Sequence, residues 1–136
     1  MPRRKLAGLL WSALLCWAGA VLWMSFLMPQ QLPDAAFLIG DKFSHFIVYL
    51  LGGWLAASAL RVSRPVAPVA RQVVLAVIIV AVFGAIDESV QTFTPGRMGG
   101  DICDWIADVL GAVVGAVLCL ATHRHLERRI LSRTPG

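Results

Sequence analysis

Residues 6–28, LAGLLWSALLCWAGAVLWMSFLM, decide the fold, because this run contains no charged side chain and directly follows Arg3, Arg4 and Lys5. A helix of this length covers roughly 35 Å at 1.5 Å per residue. The hydrocarbon core of a bilayer is about 30 Å thick. The run therefore predicts a helix that spans a membrane.

The same stretch also allows a second interpretation, a cleaved signal peptide, because residues 18–20 read Ala-Gly-Ala. A cleaved signal normally ends its apolar part near the cleavage site. Here the apolar run continues through Val21, Leu22, Trp23 and Phe26. We therefore favour an uncleaved span.

Three further apolar segments follow, at residues 43–60, 73–93 and 102–121, and prolines and glycines separate them. The composition agrees: 58% of the residues are hydrophobic and 15% are charged, which is too apolar for a soluble domain of this size. We predict an all-α membrane protein, a bundle of four transmembrane helices. Residues 1–122 form a single domain, and residues 123–136 form a basic cytoplasmic tail.

The basic residues predict the orientation of the bundle. Most of them lie in three stretches, which are Arg3, Arg4 and Lys5; Arg61, Arg64 and Arg71; and Arg124, Arg128, Arg129 and Arg133. Four spans place these stretches on one side, which the positive-inside rule assigns to the cytoplasm. We therefore expect both termini on the cytoplasmic side of the membrane. Topology explains the net charge of +4, so we expect no nucleic-acid partner.

Small residues predict where the helices approach each other closely. Gly111 and Gly115 form a small-xxx-small pattern on the fourth segment, and Gly52, Gly53 and Gly84 lie in the second and third. Small side chains let helix backbones meet in a bilayer. We expect these glycines at helix contacts.

A first polar stretch begins the second segment. Asp41, His45 and Tyr49 are spaced four apart, with Lys42 beside them. On a helix they share one stripe. A carboxylate that reaches an imidazole fixes its tautomer, as a general base or a metal ligand requires. A structural alternative is that Asp41 and Lys42 are interfacial anchors and that His45 only makes a hydrogen bond between helices.

A second polar stretch ends the third segment with Asp87, Glu88 and Gln91, followed by Arg97 in the next loop. Glu88 and Gln91 are three apart and share a face, so we expect Glu88 to point into the bundle. Asp87 lies roughly 100° around the helix, facing another partner or the headgroup region. Acidic side chains at membrane depth are energetically costly, so they need hydrogen-bond partners, water or a functional role.

A third polar stretch opens the fourth segment, where Asp104 and Asp108 share a helical face with Gly111. Asp104 also lies in the first turn, where a carboxylate is favoured by the helix dipole. A capping role would explain Asp104 but not Asp108. Both acids are therefore candidates for a polar site.

Taken together, these acids outnumber the nearby cations, and in a low dielectric they cannot all be ionised without compensating cations. Some of them should therefore keep their protons or bind metal. Carboxylates with one histidine could hold Mg²⁺, Mn²⁺ or Ca²⁺, but no spacing here is diagnostic of a metal. Arg97 has the planar fork suited to a phosphate or a carboxylate. A divalent cation thus stays open as a cofactor.

In their order, the three stretches resemble the VanZ-like family of small membrane proteins, named after a member associated with resistance to the glycopeptide teicoplanin. The motifs are Asp41-Lys42-x-x-His45-Phe46-x-x-Tyr49, Asp87-Glu88-x-x-Gln91 followed by Pro95-Gly96-Arg97, and Asp104-Trp105-x-x-Asp108-x-x-Gly111. The resemblance implies a polytopic protein of the cell envelope, located in the bacterial cytoplasmic membrane. Many relatives have Asn at the position of Asp108.

Our leading hypothesis is an enzyme that acts on a phosphorylated lipid or lipid-linked cell-wall precursor at the outer face of the membrane. We name His45, Glu88 and Asp104 as catalytic candidates. The substrate-binding candidates are Lys42, Arg97, Asp41, Tyr49, Asp87, Gln91 and Asp108. The alternatives are a non-catalytic protein that binds or translocates a lipid or glycopeptide, and a structural partner subunit. A thin bundle also suggests a homodimer.

Overall fold

A computed structural model of the chain describes residues 2–32 and 40–131, with side chains as far as residue 123. These residues form four α-helices, α1 Arg3–Ser25, α2 Asp41–Ser63, α3 Val69–Gln91 and α4 Ile102–Leu131, with a short 3₁₀ turn at Pro29–Gln31. Each helix contains a segment long and apolar enough to cross a membrane, which in α4 is Ile102–His123. The predicted all-α bundle of four transmembrane helices is confirmed. The side on which the termini lie stays a prediction.

The helices differ from the apolar runs of the sequence at their ends: α1 begins at Arg3 but ends at Ser25, before residue 28, and α3 ends at Gln91, before residue 93. α2 already begins at Asp41, and α3 begins at Val69 directly after Pro68. Proline has no N–H to leave unpaired and suits a helix start. α4 continues to Leu131, so the predicted tail begins as a helical extension, and its residues 132–136 lie outside the described part.

α2 occupies the centre of the bundle. It packs against each of the other helices, and its contact with α4 is the most extensive. α3 also touches all three others, whereas in the described part of the chain α1 packs on α2 and α3 without reaching α4. The N-terminal turns of α2 and α4 therefore meet at one end of the bundle, beside the C-terminal turns of α1 and α3.

The contact between α2 and α4 is made by small residues. A side chain at Gly53 would meet the backbone of Ala112, and side chains at Gly111 and Gly115 would meet the backbone of Phe46 and Leu50. In a bilayer, where lipid is as apolar as the helices, such close packing is a main source of attraction between helices. The contacts expected for these glycines are confirmed.

α1 is attached to the bundle at the end where α1 itself begins. Arg3 donates from Nε to the carbonyl of Val62 over 2.6 Å and from Nη2 to that of Ser63 over 3.1 Å. Farther along, Trp17 packs on Gly52 and its Nε1 donates to the carbonyl of Val48 over 3.0 Å. α1 thus packs along α2, although few of its own side chains are buried.

Candidate functional site

Lys42 joins the start of α2 to the start of α4. Its Nζ lies 2.7 Å from Asp104 Oδ1 and 3.1 Å from Asp101 Oδ2. Asp104 is buried, while Lys42 is more than half exposed. The first turns of two helices that are distant in sequence are therefore joined by a charge pair at the end of the bundle.

His45 takes its closest carboxylate from α4. Its Nδ1 lies 2.9 Å from Asp108 Oδ1, and its Nε2 lies 3.9 Å from Asp41 Oδ1. An ionised carboxylate only accepts hydrogen bonds, so Nδ1 carries the proton when Asp108 is ionised. The sequence indicated Asp41 as the orienting acid; instead Asp41 is 72% exposed, and the close approach of α4 brings Asp108 to the ring.

Asp87 lies deep between three helices, with only 1% of its surface exposed. Its carboxylate accepts hydrogen bonds from Ser25 Oγ of α1, from Tyr49 Oη of α2 over 3.1 Å and from Gln91 Nε2 over 3.2 Å. Of the two environments expected for Asp87, the structure therefore shows the buried one. All three donors are neutral, so Asp87 links α1, α2 and α3 through hydrogen bonds.

Glu88 points into the bundle, as predicted, and is 5% exposed. Its Oε2 accepts a hydrogen bond from the backbone N–H of Asp101 over 3.1 Å. Its Oε1 is buried without a hydrogen-bond partner and lies 3.9 Å from His45 Nδ1. Space at this point depends on Gly84, where a Cβ would stand 2.9 Å from Asp108 Oδ2 and 3.2 Å from Tyr49 Cε1.

Asp101 precedes α4 and completes the polar end, although it is absent from the sequence-based site. Its Oδ1 accepts the backbone N–H of Cys103 over 2.8 Å. That hydrogen bond, followed by the one from Lys42, holds the pKa of Asp101 below its usual value. An Asp just before a helix is a familiar capping signal. Because capping alone explains Asp101 in the sequence, the sequence did not indicate its contact with Lys42.

Arg97 and Thr94 fasten the loop between α3 and α4 onto the end of α1. Arg97 Nη2 donates to the carbonyl of Met24 over 2.9 Å, and Thr94 Oγ1 donates to that of Ser25 over 2.7 Å. Arg97 Nε is buried without a hydrogen-bond partner. The guanidinium predicted to bind phosphate therefore already donates one hydrogen bond to the backbone of α1.

A cavity of about 400 Å³ lies at this end of the bundle, between the end of α1, the start of α2 and the α3–α4 loop. Its wall combines two kinds of side chain. The apolar ones include Val21, Met24, Leu32 and Val48; the polar ones include Asp41, His45, Tyr49, Gln91, Arg97, Asp101 and Asp104. A volume in this range suits a small molecule or a lipid headgroup with part of its tail.

The family of the chain follows from comparison with known proteins. A model of the VanZ/LLP1 family matches residues 10–123. The chain belongs to the VanZ/LLP1 family. No curated protein and no solved structure matches the sequence.

The VanZ/LLP1 region contains all of the predicted site residues, and the structure brings them to one end of the bundle. Asp41, His45, Tyr49, Gln91, Arg97 and Asp104 line the cavity. Lys42, Asp87, Glu88 and Asp108 lie behind them and contact the cavity residues or one another. The three motifs of this VanZ/LLP1 chain thus form one connected polar cluster, while the roles assigned to its members stay predictions.

Two groups within the cluster have donor atoms close enough to share a metal ion. One is Asp41, His45 and Asp104, and the other is His45, Glu88 and Asp108. In each group the three donor atoms lie within 4.8 Å of one another. The groups share His45 and differ in exposure, because Glu88 and Asp108 are buried and Asp41 is open.

Proposed function

We propose that this VanZ/LLP1 protein binds a phosphorylated lipid or lipid-linked cell-wall precursor in the cavity and transforms its headgroup. The observation that carries the proposal is the mixed lining of that cavity. Val21, Met24 and Leu32 offer an apolar wall, and His45 and Arg97 stand at the polar end. A molecule with an apolar chain and an anionic head matches both parts.

Recognition of the head falls to the cations at the polar end. Arg97 keeps a buried Nε without a protein partner, and a guanidinium fork suits the oxygens of a phosphate. Lys42 holds Asp104 and Asp101 and so limits the negative charge that these acids would present to a phosphate. Tyr49 and Gln91 complete the polar lining.

Proton transfer is assigned to His45. Because its Nδ1 is engaged by Asp108, the other nitrogen, Nε2, is the one able to give or take a proton in the cavity. Asp104 lines the cavity and is assigned to orient the head. Glu88 stands behind His45 rather than in the lining, so we give it a supporting role in place of direct acid or base catalysis.

The proposal places this end of the bundle outside the cytoplasm, as the positive-inside rule predicts. Cys103, exposed at the start of α4, offers a direct probe. A membrane-impermeant maleimide should label Cys103 in intact bacteria and leave a Cys103→Ser variant unlabelled at this position. Labelling of Cys103 only after lysis would overturn the orientation.

The function is tested with the purified full-length chain in lipid nanodiscs. Polyprenyl phosphates and glycerophospholipids are offered with and without divalent cations, and products are followed by mass spectrometry. We expect turnover of one class. His45→Gln should lower turnover by about 100-fold or more, as loss of general acid–base catalysis does, and change substrate binding only slightly. Ser89→Ala, which removes a hydroxyl bonded only to its own helix, serves as the control.

The alternatives make different predictions in the same experiment. Lipid binding that persists with no turnover of any class would overturn the enzymatic part and favour a non-catalytic binder. No binding of any phosphorylated lipid would overturn the proposal as a whole. A purely structural subunit would show lower stability, rather than lower activity, when His45 or Glu88 is replaced.

Three further sequence-based expectations stay predictions. These are a part in teicoplanin resistance, association into a homodimer and the lack of a nucleic-acid partner. The first would be measured as the teicoplanin concentration that inhibits a sensitive bacterium with and without the chain, with His45→Gln as control.

A further inference from the structure

We infer that His45, Glu88 and Asp108 form a binding site for one divalent transition-metal ion, buried between α2, α3 and α4. His45 Nδ1 lies 2.9 Å from Asp108 Oδ1 and 3.9 Å from Glu88 Oε1. Adjacent ligands on an ion with bonds of 2.0–2.2 Å stand roughly 3 to 3.5 Å apart. The three donor atoms need only small adjustments to surround such an ion.

The charges of the group favour a cation. Asp108 is fully buried and Glu88 is 5% exposed. In the described part of the chain, the one basic side chain within 4 Å of either carboxylate is His45, while Lys42 is held by Asp104 and Asp101. Two carboxylates, a neutral imidazole and a divalent ion sum to zero charge, which removes the large penalty of buried unpaired ions.

Two oxygens of the group are left without partners, and this observation is independent of the clustering itself. Glu88 Oε1 and Asp108 Oδ2 are both buried and accept no hydrogen bond. Such atoms are rare in folded proteins, and a missing ion or water is one established cause. Glu88 Oε1 faces the imidazole, so it is already aimed at the proposed ion.

The type of donor narrows the choice of ion. One imidazole nitrogen with carboxylate oxygens suits Zn²⁺ or Mn²⁺, whereas Ca²⁺ requires six to eight oxygen ligands. The surroundings also support the ligands, because Glu88 Oε2 is fixed by the backbone N–H of Asp101. Metal ligands are commonly oriented in this way by outer hydrogen bonds.

The metal site and the proposed proton transfer use different nitrogens of the same ring. An ion on Nδ1 displaces the proton that this atom shares with Asp108, so the neutral ring then carries its proton on Nε2, which can donate toward Asp41 and the cavity but cannot accept a further proton. Proton uptake by Nε2, as proposed above, therefore belongs to the ring without the ion. The inference therefore does not depend on which lipid is bound, or on whether any lipid is turned over. It can be tested without substrate.

The test measures Mn²⁺ and Zn²⁺ binding to full-length protein in nanodiscs after treatment with a chelator. Electron paramagnetic resonance should count one bound Mn²⁺ per chain, and competition should count Zn²⁺ at the same place. Glu88→Gln and Asp108→Asn should each weaken binding by about 10- to 100-fold or more, as loss of a ligand or its support does. Asp41→Asn, which changes only the exposed neighbouring group, should bind like the unchanged chain.

The outcomes separate clearly. Because an ion that binds only the folded state stabilises it, the unfolding temperature of the unchanged chain should rise with added ion, and Glu88→Gln should need about 10- to 100-fold more ion for the same rise. Glu88→Gln also removes a buried charge, so it should remain folded without metal, as gel filtration will check. Absence of stoichiometric Mn²⁺ and Zn²⁺ from folded, unchanged protein would overturn the inference. Equal loss of the ion in Asp41→Asn would also overturn it, because the ion would then sit in the exposed group.

Discussion

The two halves of the α2–α4 contact hold the same pair of helices together by different means. Toward the end of the bundle where α1 begins, Gly53 and Gly115 bring backbone against backbone, and Ser58 lies 3.2 Å from the Cys119 sulfur. At the other end, Lys42 and His45 meet the acids of α4. The comparison shows that the polar contacts depend on the small residues, because only a close backbone approach brings Asp108 to His45.

Gly111→Val should have the largest effect on stability, because Gly111 lies between the close-packed half and the polar half of the α2–α4 contact. It tests whether the polar contacts depend on the small residues. Its side chain would collide with the backbone of Phe46, so we expect about 3 kcal/mol of lost stability, the upper range for overpacking. The His45–Asp108 contact should be lost with it. Unfolding in mixed detergent micelles, followed by helicity, measures the effect.

Gly19→Ala is the matched control for this change, since a Cβ at Gly19 meets nothing within 4 Å. There we expect a gain of about 0.5–1 kcal/mol from helix propensity. If Gly111→Val unfolded at the same detergent fraction as the unchanged chain, the dependence of the polar half on the small residues would be wrong.

A second test removes Asp87, the acid at the polar end of the bundle whose hydrogen-bond donors are all neutral. Asp87→Ala leaves the donors of Ser25, Tyr49 and Gln91 without their shared acceptor. We expect a loss of about 2 kcal/mol, typical of buried donors left unpaired. The same unfolding measurement applies.

Asp87→Asn should be milder, because its amide oxygen still accepts hydrogen bonds. Equal losses in Asp87→Ala and Asp87→Asn would mean that charge, rather than hydrogen bonding, holds this carboxylate in place.

The smallest expected effect lies at the exposed edge, in the pH dependence that Asp101 contributes. Its pKa is lowered from the ordinary value of 3.8, so its contribution to stability is present above about pH 4 and is lost as the pH falls through the lowered pKa. Lys42→Gln removes one cause and leaves the Cys103 N–H, so this acid dependence should shrink without vanishing. Melting temperatures between about pH 2.5 and 6 would show it; an unchanged profile would contradict the role of Lys42.

The sequence predicted the fold well, because each apolar run is as long as a bilayer is thick and each break contains Pro or Gly. It also predicted that the three polar stretches belong together. Spacing within one helix, however, assigned Asp41 to His45, when the nearer acid is Asp108 on another helix. Contacts between helices depend on how closely and at what rotation they pack, and a four-residue spacing contains no information on either.

Ser25 is a second residue whose contact could not be predicted from the sequence. It contacts Asp87 across the bundle, but a single serine near the end of an apolar run has many ordinary explanations. Its partner lies 62 residues away in the chain. Only the packing of α1 against α3 makes it part of the cluster.

The order of the polar residues along the chain has a consequence for synthesis on the ribosome. Lys42 and His45 are made with α2, whereas the acids closest to them, Asp101, Asp104 and Asp108, follow 59 to 63 residues later. Until α4 is translated and inserted, the start of α2 must rely on water, lipid headgroups or the insertion machinery for its polar partners. A nascent chain cut short before α4 would therefore leave these groups without their acids and offer cellular quality control a clear sign of incomplete assembly.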